Sequence, residues 1–450
     1  MVAMHQEKHL STALLTDMYE LTMVDSALEH AMGSRQCVFE VFTRRFPPSR
    51  RFMVMAGVAR ILEGLQRFHF SEDQLRYLAD NRVVGAKTVR FLENYHFSGD
   101  IFGYPEGEVF MVNSPILTVR GSFAEACLLE TYLLSVLNFD CAIASAASRM
   151  TIAAHGRPCL DMGARRTHER AAVSAARAAQ IGGFVGTSDL EAGIRYGVRA
   201  IGTAAHAFTL LFDSEQEAFE AQVNSMGPGT TLLVDTYDVE TAVKTAVETA
   251  RAAGGELGAV RLDSGDLVAG AFRVRQLLDE LGATTTKITV TNDLDEYALA
   301  ALGAAPVDSY GVGTKLVTGS GVPTAALVYK LVAREDSSGV MQPVAKHSKD
   351  KSTHGGLKWA GRVLESKTAQ SELLVTGLSR EKARDYFAEH GARALQESFV
   401  SCGDVDLSWT GSAALERAQQ RHEDSRNELP YQAWRLSEGE VAIPTKLVQL

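Results

Sequence analysis

The stretch 231–267 decides the fold, and it reads TLLVDTYDVETAVKTAVETARAAGGELGAVRLDSGDL. The apolar run TLLV suits a buried strand, and the polar cluster DTYD follows it directly. An Ala- and Val-rich segment over 239–253 has helical spacing, and a second apolar run at 259–262 leads into DSGDL. Strand, polar loop, helix and strand in this order form the crossover unit of a parallel sheet.

The same alternation recurs between residues 158 and 315. Apolar runs that suit strands lie at 158–162, 198–202, 231–234, 259–262, 287–290 and 309–312. Helix-like segments lie at 167–181, 239–253, 266–281 and 293–302. Polar clusters end almost every run, whereas an open doubly wound sheet collects them at one switch point. The sequence therefore predicts an α/β barrel with its ligand site at the carboxyl ends of the strands.

The polar clusters suit a ligand that carries phosphates. They are GTAAH (202–206), DTYD (235–238), RLDSGDL (261–267), TNDLD (291–295) and GVGT (311–314). Neither GxxxxGK[ST] nor a GxGxxG that opens a helix is present, so no P-loop or dinucleotide fold is indicated. Gly311 and Gly313 let backbone N–H groups converge, and Thr314 adds a hydroxyl. A plain tight turn explains the same letters equally well.

Arg261, Asp263 and Asp266 give RLDSGDL its chemistry. Arg261 can hold a carboxylate or phosphate through its planar fork. Asp263 and Asp266 can bind Mg²⁺ or sugar hydroxyls. The alternative is structural: Asp266 caps the next helix, and Arg261 pairs with Asp263. We expect both interpretations to hold in part, with Asp266 as the cap.

Other candidates also have structural explanations. His206 has small neighbours, and a neutral imidazole is a competent nucleophile, but a lone histidine is usually a core or surface residue. Arg165 and Arg166 precede a helix, where one can meet a diphosphate while the other forms a surface ion pair. Tyr19 lies on a predicted helix outside the barrel and can simply be a core residue.

Length and composition restrict the class of protein. At 450 residues the chain exceeds the usual limit of one core, so two domains are expected. A net charge of −10 argues against nucleic-acid binding through bulk positive charge. Five scattered cysteines predict reduced thiols in a cytoplasmic protein. The N-terminus lacks an apolar signal region, and polar residues interrupt the most apolar stretch at 132–150, so no membrane span is expected.

The order and spacing of nine motifs resemble those of the nicotinate phosphoribosyltransferase family. They are TDMYELTM (16–23), FEVFTRRFP (39–47), GARRTHE (163–169), GTSD (186–189), GTAAH (202–206), RLDSGDL (261–267), TND (291–293), GVGTKLVT (311–318) and VYKLV (328–332). GTAAH and RLDSGDL form the diagnostic pair. Where the family usually has GTSN, this chain has Asp189; a carboxylate only accepts hydrogen bonds, whereas an amide also donates.

The resemblance implies a type II phosphoribosyltransferase with an irregular α/β barrel and a second, α+β domain made from both chain ends. We therefore expect an N-terminal domain over 1–122, a barrel over 123–330 and an extension over 331–450 that packs on the first domain. The implied reaction joins nicotinate to 5-phosphoribosyl 1-diphosphate, giving nicotinate mononucleotide and diphosphate in NAD salvage. ATP hydrolysis is expected to be coupled through phosphorylation of His206.

The resemblance also implies site residues. Nicotinate is assigned to Tyr19, Thr203 and Arg261, the phosphoribosyl and diphosphate groups to Arg165, Gly311, Gly313 and Thr314, and the same substrate site includes Ser264 and Gly265. His206, Arg261 and Asp263 are the expected catalytic residues, and Asp263 is the expected Mg²⁺ ligand. Family dimers place the N-terminal part of one subunit against the other's barrel, so Tyr19 is expected to act in trans.

Three alternatives remain open at this stage. A nicotinamide phosphoribosyltransferase differs by one substrate charge, which a pocket arginine can discriminate. A barrel that binds a nucleotide without turnover is an alternative from another class. An aldolase-type lyase needs a lysine at a strand end, and the strand ends offer only Lys315, inside the glycine-rich turn.

Overall fold

The computed structural model describes residues 10–346 and 354–450, which form two compact units. The first unit combines 1–142 with 323–450, and the second spans 143–322. The sequence places the boundaries at 122 and 330 instead. A continuous helix, Glu130–Ala153, contains the first division, so no loop or change in composition marks it. Residues 1–9 and 347–353, which belong to the predicted outer domains, lie outside the described residues.

The N-terminal part of the first unit begins with a helix that Asp17 precedes as N-cap. Its helices are α1 (Met18–Glu29), α2 (Val58–Leu65), α3 (Glu72–Asp80), α4 (Ala86–Glu93), α5 (Phe123–Cys127) and α6 (Glu130–Ala153). Its strands are β1 (Gln36–Thr43), β2 (Met53–Val54), β3 (Asp100–Gly103), β4 (Val109–Phe110) and β5 (Leu117–Ser122). Ser71 forms a reciprocal capping box with Gln74, which satisfies donors at the start of α3.

The second unit contains a parallel sheet with helices after its strands. Its strands are β6 (Cys159–Asp161), β7 (Thr231–Leu233), β8 (Ala259–Leu262), β9 (Lys287–Val290) and β10 (Ser309–Val312). Its helices are α7 (Glu169–Ile181), α8 (Leu190–Tyr196), α9 (His206–Thr209), α10 (Glu215–Met226), α11 (Val239–Ala252), α12 (Leu267–Glu280), α13 (Glu296–Ala301) and α14 (Thr314–Val317).

The strands pair in the order β6-β10-β9-β8-β7, all parallel. Single parallel bridges from Asp161 to Thr187 and from Thr187 to Ala200 extend this order by two segments. The predicted run at 198–202 therefore contributes one bridge, not a strand. The parallel order agrees with the α/β barrel expected from the sequence, and the strands end in the polar clusters.

The C-terminal part of the chain completes the first unit. It contains β11 (Leu327–Glu335), β12 (Met341–Pro343), β13 (Lys358–Glu365), β14 (Thr368–Thr376), α15 (Arg380–Glu389), β15 (Ala392–Ala394), β16 (Glu397–Ser401), β17 (Asp404–Val405), α16 (Gly411–Asn427) and β18 (Thr445–Gln449). One sheet, β12-β11-β1-β5-β3-β16-β17, mixes strands from both chain ends, and β15-β13-β14-β18 forms another. Both chain ends thus build one α+β unit, as the resemblance implies.

The apolar helix α6 lies mostly inside the protein. The stretch Phe123–Ala153, which includes α5 and α6, is long and apolar enough to cross a membrane by length and composition. In the structure 67% of its most apolar window is buried. Leu133 and Leu137 belong to the main hydrophobic core of the first unit. Burial of this kind is typical of a core helix, which meets the same length and composition criteria.

Candidate active site

A cavity of about 400 Å³ opens at the carboxyl ends of the parallel strands in the second unit. Its lining includes seven of the predicted site residues: Arg165, Thr203, Arg261, Asp263, Gly311, Gly313 and Thr314. Met162, Ala164, Arg166, Ser188, Gly202, Ala204, Ala205, Thr291, Asn292 and Asp293 complete it. The fold therefore brings together segments that are as much as 150 residues apart in sequence, as expected when successive strands end at the same edge.

Arg261 near the end of β8 is held in place by its neighbours. Its Nη2 donates to the carbonyl oxygen of Ala204 at 2.6 Å, and its Nη1 donates to Thr291 Oγ1 at 3.2 Å. The same Nη1 lies 3.5 Å from Asp263 Oδ1, which is a loose ion pair. Nε is buried without a hydrogen-bond partner. Burial lowers the pKa of this guanidinium, so the site holds a cation that it only partly neutralises.

The structural interpretation of RLDSGDL is confirmed, and its role in binding a ligand stays a prediction. Asp266 Oδ1 accepts from the backbone N–H groups of Val268 and Ala269 and caps α12, as expected. Asp263 faces the cavity, and the hydroxyl of Thr291 donates to its carboxylate. The first half of the motif therefore contributes side chains to the cavity, and its second half begins α12.

His206 lies beside this cavity, at the first position of α9. Its Nε2 is 3.8 Å from Asp235 Oδ1 and 3.9 Å from Asp263 Oδ2. Its Nδ1 is 3.1 Å from Thr236 Oγ1. The imidazole is 39% exposed, so a solvent-borne group can reach it. Two carboxylates facing Nε2 favour the tautomer with the proton on Nε2, in which the Nδ1 lone pair accepts from the Thr236 hydroxyl.

Asp235 links His206 to the RLDSGDL segment, a role that the sequence reasoning did not assign. Its Oδ2 accepts from the Asp263 N–H and from the Ser264 hydroxyl, both at 2.7 Å. Its Oδ1 is buried and has no hydrogen-bond partner. The predicted residue Ser264 thus supports the carboxylate network, and Gly265 forms the turn with φ of 74°. Neither residue lines the cavity.

The glycine-rich turn after β10 needs its first glycine for close packing. A Cβ atom at Gly311 would lie 2.5 Å from Thr291 Cγ2, which is closer than carbon atoms can approach. Thr291 in turn holds Arg261 and Asp263. The absence of a side chain at Gly311 therefore lets two strand ends approach and shape the cavity floor.

Asn292 also lines the cavity, and its backbone geometry was not predicted from the sequence. Its φ is 120°, a region that residues other than glycine rarely occupy. Its side-chain Oδ1 accepts from the N–H of Asp293 at 2.8 Å. Backbone strain of this kind persists where the surroundings impose it, commonly at ligand sites.

Tyr19 is the one predicted site residue outside the second unit. It lies on α1 of the first unit with 45% of its surface exposed, and it does not line the cavity. Its assignment to the nicotinate site remains a prediction.

The comparison with known proteins decides the family. A model described as the nicotinate phosphoribosyltransferase N-terminal domain matches residues 14–138, and the model of the nicotinate phosphoribosyltransferase family matches 158–353. A nicotinate phosphoribosyltransferase of Mycobacterium tuberculosis is 50% identical over 443 residues, covering 97% of this chain and 95% of that protein. The nicotinate phosphoribosyltransferase of Bacillus subtilis is 34% identical, covering 83% and 78%.

The chain belongs to the nicotinate phosphoribosyltransferase family.

Solved structures agree on the fold. A human nicotinic acid phosphoribosyltransferase matches with a TM-score of 0.80 at 22% identity, covering 96% of this chain and 98% of that one. A nicotinate-nucleotide pyrophosphorylase from Pyrococcus furiosus matches with a TM-score of 0.72 at 24% identity, covering 92% and 96%. At these identities the similarity concerns the fold, and it extends over both units of the nicotinate phosphoribosyltransferase architecture.

The departure at Asp189 from the usual family motif falls on a helix cap. Asp189 Oδ1 accepts from the N–H of Ala192 at 3.1 Å and caps α8. Its own N–H donates to Thr187 Oγ1 at 3.1 Å. Ser188, not Asp189, lines the cavity. Asp and Asn cap helices about equally well, so a carboxylate can occupy this position without loss of the cap.

The donor set fits a Mg²⁺ ion that takes only some of its ligands from the protein. Within 10–346 and 354–450, no three His, Cys, Asp or Glu side chains are grouped so that they could hold a metal. Mg²⁺ commonly uses one or two carboxylates and takes its other ligands from substrate phosphates and water. Asp263 in the cavity and the unpartnered Oδ1 of Asp235 match that requirement.

Proposed function

We propose that this chain transfers the phosphoribosyl group of 5-phosphoribosyl 1-diphosphate to nicotinate, releasing nicotinate mononucleotide and diphosphate in NAD salvage. One observation carries the proposal: a single cavity holds Arg261, Asp263, Arg165 and the Gly311–Thr314 turn. Relatives that are named for this activity are similar to the chain over nearly its whole length. The cavity volume of about 400 Å³ suits small-molecule substrates.

Arg261 is the group proposed to recognise the nicotinate carboxylate. Its Nε is buried and unpartnered, and its pairing with Asp263 at 3.5 Å is weak. A planar carboxylate can pair with such a fork through two hydrogen bonds. Nicotinamide lacks the negative charge, so the same arginine favours nicotinate over the amide. Thr203, in the same lining, provides a hydroxyl for the substrate.

Charge separation in the transition state determines what else the site must supply. As the pyridine nitrogen attacks the anomeric carbon and diphosphate departs, positive charge develops on the ribosyl ring and negative charge on the leaving group. We expect Asp263 to balance the ring charge, and Arg165 and the backbone N–H groups of the Gly311–Thr314 turn to stabilise the leaving group; their shared position in the cavity lining supports this. Mg²⁺, held by Asp263 and Asp235, would neutralise diphosphate oxygens.

His206 is the group proposed to couple ATP hydrolysis to the transfer. Nδ1 attacks the γ-phosphorus of ATP, the bond to the bridging oxygen breaks, and ADP leaves. Asp235 and Asp263 face Nε2 and stabilise the imidazole as it gains positive charge. Water then hydrolyses the phosphohistidine and regenerates free His206. Thr236, 3.1 Å from Nδ1, orients the ring before phosphorylation.

A homodimer is proposed as the functional state, with Tyr19 acting in the partner's cavity. The N-terminal segment of the first unit exposes apolar side chains that include Leu15, Met18 and Met23. Their exposed fractions are 60%, 61% and 39%, which is unusual for large apolar residues on one short segment. We further propose a cytoplasmic location, since all five cysteines are free thiols.

The deciding experiment measures nicotinate mononucleotide formed from nicotinate and phosphoribosyl diphosphate with Mg²⁺, with and without ATP. Intact mass should detect an acid-labile phosphate after incubation with ATP. His206→Ala should lose both the phosphate and the stimulation by ATP while keeping slow transfer. His390→Ala is the matched control, because His390 is an exposed histidine of the first unit that contacts Tyr386.

Each other outcome points elsewhere. Stimulation by ATP that survives in His206→Ala would rule out the phosphohistidine. Product from nicotinamide but not from nicotinate would identify the amide-specific enzyme of the same type. Binding of phosphoribosyl diphosphate by calorimetry without any product would indicate a barrel that binds its ligand without turnover.

A further inference from the structure

Asp161, at the end of β6, is a buried carboxylate that the proposed chemistry does not use. It is 1% exposed and does not line the cavity, although Met162 and residues 164–166 directly after it do. Burial raises the pKa of Asp161 to about 6. A charged group in such a place destabilises the fold unless it makes specific hydrogen bonds.

The Asp161 carboxylate ties together two loops that line the cavity. Oδ1 accepts from the N–H of Gly163 at 2.8 Å, which holds the turn that leads to Arg165. Oδ2 accepts from the Thr187 hydroxyl at 2.7 Å, and that hydroxyl accepts from the Asp189 N–H at 3.1 Å. The backbone adds a bond from Ser188 N–H to the Asp161 carbonyl oxygen at 2.8 Å.

The turn held by Asp161 also packs against the glycine-rich loop. A Cβ atom at Gly163 would lie 2.2 Å from Val317 Cγ1 and 3.3 Å from the carbonyl oxygen of Gly313. The turn therefore has no room to move toward that loop, and the Asp161 bond prevents movement away from it. Through these two constraints Asp161 controls where Arg165 lies relative to Gly313.

We propose that Asp161 and Thr187 form a positioning pair that fixes the Arg165 and Ser188 loops for binding of the phosphoribosyl diphosphate. The inference rests on the proposed function and names two residues that act through others. Neither side chain needs to touch the substrate. The pair acts because small displacements of charged groups weaken binding to a phosphate, where geometry and distance determine the interaction.

The test compares Thr187→Val with Thr187→Ser in the full-length protein. Valine removes the hydroxyl at nearly constant volume, whereas serine keeps it. We expect Thr187→Val to raise KM for phosphoribosyl diphosphate roughly tenfold, with kcat and KM for nicotinate changed less than about threefold. Thr187→Ser should restore KM to within about twofold of the unaltered protein.

Thr289→Val is the matched control. Thr289 is a buried threonine of the same sheet whose hydroxyl bonds Ser309 Oγ at 2.8 Å, and it does not line the cavity. Its loss removes a comparable hydroxyl, so the melting temperature should fall similarly while KM stays unchanged. An equal rise of KM in this control, or an unchanged KM in Thr187→Val, overturns the proposal.

Asp161→Asn provides the second variant in case Thr187→Val does not fold. Asp161→Asn should also raise KM for phosphoribosyl diphosphate. The double variant with Thr187→Val should raise this KM little further, because both substitutions affect the same hydrogen bond between residues 161 and 187. Fully additive effects would overturn the pair.

Calorimetry with phosphoribosyl diphosphate and Mg²⁺ separates this inference from the proposed function. If the protein binds this compound but makes no mononucleotide, the proposed function is wrong. The ratio of the variant Kd to the unaltered Kd for phosphoribosyl diphosphate then still tests the positioning pair. No binding by the unaltered protein overturns both.

Discussion

Two regions of the molecule hold charged groups away from water. One is the ion-pair cluster around Arg362 in the first unit, and the other is the group of carboxylates beside the barrel cavity. They differ in how these charges are paired. Arg362 is fully buried and bonds Glu108 at 2.7 Å and Glu372 at 2.8 Å. Arg393 adds bonds to Glu108 and Glu428 at 2.8 and 2.7 Å. Burial alone would raise the pKa of Glu108, but these arginines outweigh it and hold the value at about 2.

The cavity carboxylates have fewer partners. Asp235 Oδ1 is buried and unpartnered, and Arg261 Nε is in the same condition. The Asp161 carboxylate accepts only two hydrogen bonds, and burial raises its pKa to about 6. In the Arg362 cluster the buried carboxylates are paired with arginines, although Arg362 Nε is itself buried without a hydrogen-bond partner. A cluster that binds a ligand leaves some polar atoms without partners in the protein, and this lowers the stability of the fold.

The largest effect is expected from Arg362→Met. Removing the cation leaves Glu108 and Glu372 buried without compensation, so the free energy of unfolding should fall by about 3–5 kcal/mol. Denaturant unfolding monitors the change. Arg273→Met is the control, because its pair with Glu240 is about half exposed and should contribute little to stability. Similar losses in both variants would contradict the proposed contrast.

Arg261→Ala should separate binding from stability. We expect KM for nicotinate to rise by about 100-fold, near 2.7 kcal/mol, with little change in the unfolding midpoint. Arg261→Lys should recover only part of this loss, since an ammonium lacks the planar fork. Arg251→Ala, on the outer helix α11, is the control and should leave KM unchanged. A nicotinate KM that stays the same in Arg261→Ala would remove this residue from the site.

The smallest effect is a pH dependence of opposite sign in the two regions. The folded pKa of Asp161, about 6, lies above its usual 3.8, so the native state binds more protons between these values. Stability relative to Asp161→Asn should therefore rise by about 2 kcal/mol as pH falls from 6 to 4. The folded pKa of Glu108, about 2, lies below its usual 4.5. Its contribution should be complete above pH 4.5 and decline toward pH 2.

Matched unfolding curves of Asp161→Asn and Glu108→Gln against the unaltered protein, from pH 7 downward, measure both slopes. Because each difference cancels the groups that titrate in both proteins, its sign belongs to the replaced residue. Slopes of the same sign would remove the distinction between the two regions.

Much of the barrel was predictable from local sequence. The runs at 259–262, 287–290 and 309–312 match β8, β9 and β10 residue for residue. Continuous apolar runs bounded by polar clusters are characteristic of parallel strands covered on both faces. The cap at Asp266 was also predictable, since an acidic residue directly before a helix satisfies free backbone N–H groups.

The C-terminal region was predicted less well. The sequence predicted an extension over 331–450 here, in which α15 ends at Glu389 and the strands β15 and β16 follow. Gly391, with φ of 63°, terminates the helix. The strand at 392–394 then forms because it pairs with β13, a partner distant in sequence. Local propensity carries no information about such pairing.

Site prediction shows the same division. Residue type and position at strand ends identified Arg261 and Asp263, and the family resemblance added Arg165 and Thr203; all four line one cavity. The roles of Asp161 and Asp235 could not be read from the sequence, because a carboxylate gains its role from partners that folding brings near it. The strained backbone at Asn292 is likewise invisible in the sequence.

By itself the sequence determined the alternation of strands and helices, the edge of the sheet at which the chemistry lies, and the membership of the family. The first two properties depend on periodicity, which is local in the sequence. Membership of the family depends on motif order, which can be compared between sequences residue by residue. Only the tertiary structure decided which charges are satisfied and which remain available. That distinction depends on distances of a few ångströms between residues far apart in the chain, such as Asp235 and His206 at 3.8 Å.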